Sequence, residues 1–120
     1  MSNAIYPTPS PELARKRRTL APQNEHAFKA FSQQVFADGA LPARTKELIA
    51  VAVAHVTQCP YCIRGHTLSA RRQGVTPEEI MEAIWVAAEM RAGAAFAHSA
   101  IAMQALDDSD SPAGSTAPPA

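Results

Sequence analysis

A pair of cysteines two residues apart, Cys59-Pro60-Tyr61-Cys62, constrains this chain more than any other feature. Thiols at that spacing close a tight ring with little loop entropy lost, and the arrangement serves either redox exchange or metal ligation. The pair lies within residues 47–66, ELIAVAVAHVTQCPYCIRGH, which also hold two of the four histidines and one carboxylate ahead of a long apolar run. Pro60 ends any helix that arrives from residue 59 and is tolerated in the first turn of the next one. Cys62 is therefore expected in a first helical turn, where unpaired N–H groups and the dipole favour an anion and lower a thiol pKa. His66 follows four residues later on the same helix face, placed to take the thiol proton. Glu47, on the preceding helix, is expected to face that imidazole across an antiparallel pair and to orient it. A base held by a third group is the general logic of an activated nucleophile, with Cys62 attacking and Cys59 resolving.

The rest of the chain reads as helices. Pro7 and Pro9 mark a Pro-rich lead over residues 1–10, and Ser10 as N-cap with Pro11 at the first helical position predicts a helix to about Thr19. Its Arg15-Lys16-Arg17-Arg18 run reads as a solvated face. Asn24 is expected to cap a second helix whose Phe28, Phe31, Val35 and Phe36 form an apolar stripe against the central helix, with Gly39 ending it. Pro42 opens that central helix, whose LIAVAVA run suggests burial on nearly every side. Glu47 and His55 are its polar exceptions, each in need of a partner or of solvent. The helix after Pro60 is expected to reach Arg72, with Gly74 as its stop. Thr76-Pro77-Glu78-Glu79 is a capping box, followed by an apolar face of Ile80, Ile84, Trp85, Ala88 and Met90. Gly93 is expected to interrupt, with an alanine-rich helix resuming over Ala94 to Leu106. The helical domain thus covers 11–106, and residues 107–120 have the composition of a disordered tail.

Composition excludes several classes of function. With 11 basic and 11 acidic residues the net charge is zero, so nothing steers the chain toward nucleic acid. The run from Leu48 to Ala54 is far short of the ~20 residues that span a bilayer. No signal peptide is visible at the N-terminus, so a cytoplasmic location is expected. Two cysteines in a reducing compartment are more often catalytic or metal-binding than a permanent staple.

The pattern E-x11-C-x2-C-x3-H formed by Glu47, Cys59, Cys62 and His66 resembles the carboxymuconolactone decarboxylase superfamily, and within it the alkylhydroperoxidase D-like proteins. Gly74, the capping box and the alanine-rich end are in keeping with it, and the likeness spans about Leu41 to Ala105. It implies an all-α bundle of about five or six helices, assembled as a trimer or hexamer. It also implies thiol-dependent, antioxidant reduction of hydroperoxides without cofactor or metal. Glu47 and His66 would relay a proton from Cys62, Cys59 would close the disulfide, and an external dithiol would restore the pair. Tyr61 departs from the family pattern, since alkylhydroperoxidase D has histidine before its second cysteine. Other readings stand beside this one: a decarboxylase that does not use the thiols, a zinc site on His55, Cys59, Cys62 and His66, a glutaredoxin-like fold around Cys-Pro-Tyr-Cys, or a structural helical module. His98 and His26 read as structural and surface residues, Tyr61 and Trp85 as packing or pocket wall. Arg44 and Arg64 are candidate ligands for an anionic head group, with solvent as the simpler expectation.

Overall fold

The structure is a computed structural model that describes residues 5–111. Among these the chain is all-α, with five helices, and it divides after Ala43 into two compact units.

The first unit holds α1 (Pro11–Leu20) and α2 (Pro22–Phe36). Ser10 caps α1 as expected, its hydroxyl accepting the Leu13 N–H at 3.2 Å. The start of α2 differs from expectation, for it begins at Pro22 and not after Asn24. Ala21 serves as the last cap of α1, donating its N–H to the Arg17 carbonyl, and as the first of α2. With one residue shared between two helices and Pro22 presetting φ, no side-chain cap is needed at Asn24. The aromatic stripe of α2 does not find burial either: Phe28 and Phe31 are mostly exposed, their rings tilted against each other at 6.2 Å. The helix ends at Phe36 rather than at Gly39, because Ala37 is already extended.

The second unit packs α3 (Ala43–Thr57), α4 (Pro60–Arg72) and α5 (Pro77–Ser109) around Val51, Ala70, Val75 and Ile80, with Leu48 and Ile84 against them. Only one stripe of α3 is buried, Glu47, Val51 and Ala54, which share a face at steps of four and three. Ile49, Val53 and Val56 stay about half exposed, so burial on nearly every side does not hold within one chain.

The ends of α3 and α4 are built alike. At the end of α4, Gly74 has φ +83° while the Val75 N–H bonds the Ala70 carbonyl and the Gly74 N–H bonds that of Arg71. Both Val75 and Ala70 are fully buried, which is the apolar contact that goes with this Schellman stop. At the end of α3, Gln58 takes the left-handed position with φ +59°, and the Cys59 N–H reaches back to the Ala54 carbonyl at 3.3 Å.

Thr76, Pro77 and Glu79 form the expected capping box of α5. Contrary to the expected break, α5 runs without interruption through Gly93 to Ser109, 33 residues and about 50 Å at ~1.5 Å per residue. A lone glycine costs a helix only about 1 kcal/mol, and no proline or capping residue follows Gly93 to stop the chain. The buried face of α5 is Ile80, Ile84 and Ala87, whereas Trp85, Ala88 and Met90 are exposed.

Arg44 and Arg91 tie α3 to α5. Arg44 pairs with Glu79, and the Arg91 guanidinium donates to the Val56 carbonyl at 3.0 Å, each partner 35 positions away. Equal offsets at both ends mean that α3 runs parallel to the first half of α5. Arg44 is thus held by a carboxylate and not offered to an anionic ligand.

Glu79 is held at about 2, well below its ordinary 4.5, first by the Arg44 hydrogen bond and then by the Thr76 N–H. Its folded value lies below its unfolded one, so its contribution is complete above about pH 4.5 and fades as pH falls toward about 2. Glu79→Gln is accordingly expected to flatten that part of the acid limb, read as the urea midpoint at successive pH values. An unchanged slope would mean that the pair adds nothing to stability.

Candidate active site

The turn between α3 and α4 places the cysteine pair. Cys59 belongs to both helix ends at once: its N–H closes the stop of α3, and its side chain caps α4, with Sγ accepting the Cys62 N–H at 3.3 Å. Pro60 occupies the first helical position of α4, where its missing N–H leaves nothing unsatisfied. Cys62 falls in the first turn, as expected, and is exposed, while Cys59 is half-buried. Both are free thiols.

The two sulfurs divide their charge in the opposite sense to the expectation from sequence. The Cys59 thiol is pushed down, first by a hydrogen bond from the Cys62 thiol, then by the Cys62 N–H, with the Tyr61 N–H adding to it. The Cys62 thiol is pushed up, first because its proton is donated to Cys59, then by burial and by the Cys59 charge. Lowering was expected on Cys62 because it lies in the first turn. It falls on Cys59 because that residue, three positions earlier at the N-cap, accepts from the Cys62 side chain first and from the helix-start N–H groups next.

Glu47 and His66 meet as the sequence suggested. The Glu47 carboxylate Oε2 lies 2.7 Å from His66 Nδ1, across the pair formed by α3 and α4. Glu47 is buried and His66 half-buried, so this contact is shielded from water on the carboxylate side. A carboxylate accepts at that distance, which puts the ring proton on Nδ1 and leaves Nε2 as the basic nitrogen. His66 lies one turn beyond Cys62 along α4, where side chains four apart are neighbours at about 5–6 Å between Cβ atoms.

Other candidates fall elsewhere. His55 is bonded through Nδ1 to the Val51 carbonyl of its own helix at 2.7 Å. Among the described residues no three His, Cys, Asp or Glu side chains converge as metal ligands, which removes the geometric basis for zinc on His55, Cys59, Cys62 and His66. No strand is present among the described residues, so the glutaredoxin-like fold is excluded. His98 is exposed in the second half of α5, His26 is exposed in the first unit, and Tyr61 is exposed between the thiols. Sequence reasoning missed the capping role of Cys59, although it was implicit in placing Pro60 at the helix start.

Comparison with known proteins agrees with this architecture. The chain is 59% identical over 110 residues to uncharacterized protein 4 in the cox locus of Paracoccus denitrificans, covering 92% of this chain and 98% of that protein. A crystal structure from Methanobacterium thermoautotrophicum superposes with TM-score 0.66 at 36% identity, over 69% of this chain and 93% of its own. A carboxymuconolactone decarboxylase family protein from Legionella pneumophila, solved in its apo form, superposes with TM-score 0.64 at 34% identity, over 81% and 87% of the two chains. Residues 22–105 match the profile of the carboxymuconolactone decarboxylase family, a span that takes in α2 to most of α5 and every residue of the site. With α2 to α4, most of α5, the cysteine pair and the carboxylate–imidazole contact inside that span, the chain belongs to the carboxymuconolactone decarboxylase family.

Proposed function

We propose that the protein is a thiol-dependent peroxidase or disulfide reductase of the alkylhydroperoxidase D-like type, working in the cytoplasm as an antioxidant. The observation that carries this reading is the Glu47–His66 contact at 2.7 Å, set on the helix that one free thiol, Cys59, caps and whose first turn bears the other, Cys62. A buried carboxylate that fixes an imidazole one turn from a thiol is an arrangement for moving a proton at sulfur. In the cycle, one thiolate attacks a hydroperoxide oxygen, the O–O bond breaks, and sulfur becomes a sulfenic acid while the peroxide is reduced to an alcohol. The second thiol displaces hydroxide to form the Cys59–Cys62 disulfide, and an external dithiol reduces it by exchange.

The assembly proposed is a homo-oligomer such as a trimer or hexamer. Every residue from Ala94 to Ser111 is exposed in the single chain, including Phe96, Ile101, Met103 and Leu106. Helices of globular proteins owe most of their stability to packing, and this half of α5 is exposed throughout among the described residues. No helix among the described residues is long and apolar enough to cross a membrane.

The test is a free-thiol count before and after slight excess of an organic hydroperoxide is added to the reduced protein. Two thiols per chain are expected to fall to none within seconds, with the parent mass lower by two hydrogen atoms. Thiols unchanged over many minutes would overturn the reading in favour of a reaction that does not use them, such as a decarboxylation.

A further inference from the structure

We infer that the side-chain amide of Gln58 donates a hydrogen bond to the leaving oxygen of the hydroperoxide, which makes Gln58 a catalytic residue of the dithiol site. The inference rests on the thiol reading above and adds a donor to it. Its starting point is the backbone.

Gln58 stands at φ +59°, the one left-handed residue other than glycine among the described residues. That region crowds the Cβ of an L residue against the backbone, and helix stops ordinarily fill it with glycine. The end of α4 does so. Gly74 has φ +83°, and a Cβ added there would meet nothing beyond its own neighbours within 4 Å. Glycine therefore stands at 74 for its φ and not for lack of room. The end of α3 takes the same kind of turn with glutamine in place. Asparagine or aspartate eases such a position through a short side chain that bonds the local backbone, and glutamine is longer than that. Nor does the rest of the chain offset the strain: the Gln58 side chain is exposed and, among the described residues, makes no hydrogen bond. A strained residue whose side chain has no partner in its own chain points to a use outside it.

The position of Gln58 indicates that use. It immediately precedes Cys59, with the two Cα atoms ~3.8 Å apart. Cys59 Sγ accepts the Cys62 N–H at 3.3 Å, so the amide is carried on the turn that holds both sulfurs. Other donors near the thiols are already engaged. The Thr57 hydroxyl is bonded to the Ala54 carbonyl at 3.3 Å, the Glu47 carboxylate only accepts, and His66 Nδ1 is occupied by it. In the step itself, a thiolate attacks the terminal peroxide oxygen, and the electron pair of the breaking O–O bond passes to the departing oxygen. The Gln58 N–H steadies the charge that collects there. The alkoxide then takes the proton that His66 received from the thiol and leaves as the alcohol. Sulfur is left as a sulfenic acid, oxidised by the two electrons that the hydroperoxide accepts.

Two variants separate the amide from the backbone. Gln58→Met keeps the side-chain length and the strained φ but has no donor, whereas Gln58→Gly removes both side chain and strain. Each is expected to lose its reduced thiols to an organic hydroperoxide about 10-fold more slowly than the parent. This is less than the ~100-fold of a sequestered oxyanion donor, because water replaces an exposed amide in part. Alkylation of the reduced pair by iodoacetamide breaks no O–O bond, and it is expected at the parental rate in both. The urea midpoint of Gln58→Gly is expected at or above that of the parent. A parental hydroperoxide rate in Gln58→Met overturns the inference. Equal slowing of alkylation also overturns it, because the thiols and not a donor would then have been disturbed, and so does a lower urea midpoint in Gln58→Gly, because glutamine would then serve the fold. A parent inert to hydroperoxide overturns the thiol reading, and this inference with it, whereas the inference alone falls when the parent reacts and Gln58→Met keeps pace.

Discussion

Glu47→Gln is expected to slow hydroperoxide-driven closure of the Cys59–Cys62 disulfide by about 100-fold, the lower range of what a positioned acid–base group supplies. The amide retains an oxygen that accepts from His66 Nδ1, so the ring keeps its place, but the negative charge that favours the imidazolium is gone. Two readouts separate this from simple damage to the fold. Far-UV circular dichroism and the urea midpoint are expected to change little, and the Cys59 N-cap, whose hydrogen bonds do not involve Glu47, is left intact. Glu47→Ala is a harsher change, because it leaves the half-buried Nδ1–H without its acceptor at a cost of about 1–3 kcal/mol. A Glu47→Gln protein that closes its disulfide at the parental rate would show that the carboxylate only holds the ring.

Phe96→Glu combined with Met103→Glu is expected to reduce the assembled protein to single chains. The two positions are seven residues apart on α5 and both side chains are exposed in the lone chain. They belong to a stripe of Met81, Trp85, Ala88, Ala92, Phe96, Ser99 and Met103, in steps of four, three and four that repeat every eleven residues. An eleven-residue repeat advances about 3.67 residues per turn, so the stripe stays on one face of a nearly straight helix. That face lies to one side of the face formed by Ile80, Ile84 and Ala87, which packs in the chain's own core. Carboxylates placed within a packed helical interface remain unpaired and cost several kcal/mol (~2–5) each. Light scattering coupled to size exclusion reads the mass directly, with a multiple of the chain mass expected for the parent. Loss of helical signal in the variant would accompany dissociation, because the second half of α5 is exposed throughout among the described residues. A parent protein that elutes as a single chain at micromolar concentration would end the oligomer reading.

Several parts of this structure follow from local chemistry and were legible without coordinates. Ser10, Pro60 and Thr76-Pro77 each start a helix through contacts that span no more than four residues. Gly74 stops α4 because only a residue at ease with positive φ closes that turn. Glu47 and His66 were also foreseeable as partners, since a carboxylate and an imidazole on two apolar neighbouring helices have few other ways to be satisfied.

The remaining features depended on what lies far away in sequence. Whether Gly93 breaks a helix is decided by a penalty of about 1 kcal/mol against the packing and continuity of 33 residues, and α5 stays whole. The run LIAVAVA contains no mark of which side faces the core, because every side is apolar. The face is chosen by where Ala70, Val75 and Ile80 arrive, so Val51 is covered while Ile49 and Val53 are not. Sequence by itself determined that a dithiol stands at a helix start with an imidazole one turn on and a carboxylate on the helix before it. Only the tertiary structure decided that α3 and α4 close around Val51, Ala70, Val75 and Ile80 and so bring the Glu47 carboxylate within 2.7 Å of His66 Nδ1, because a hydrogen bond is set by angle and distance that residue spacing does not specify.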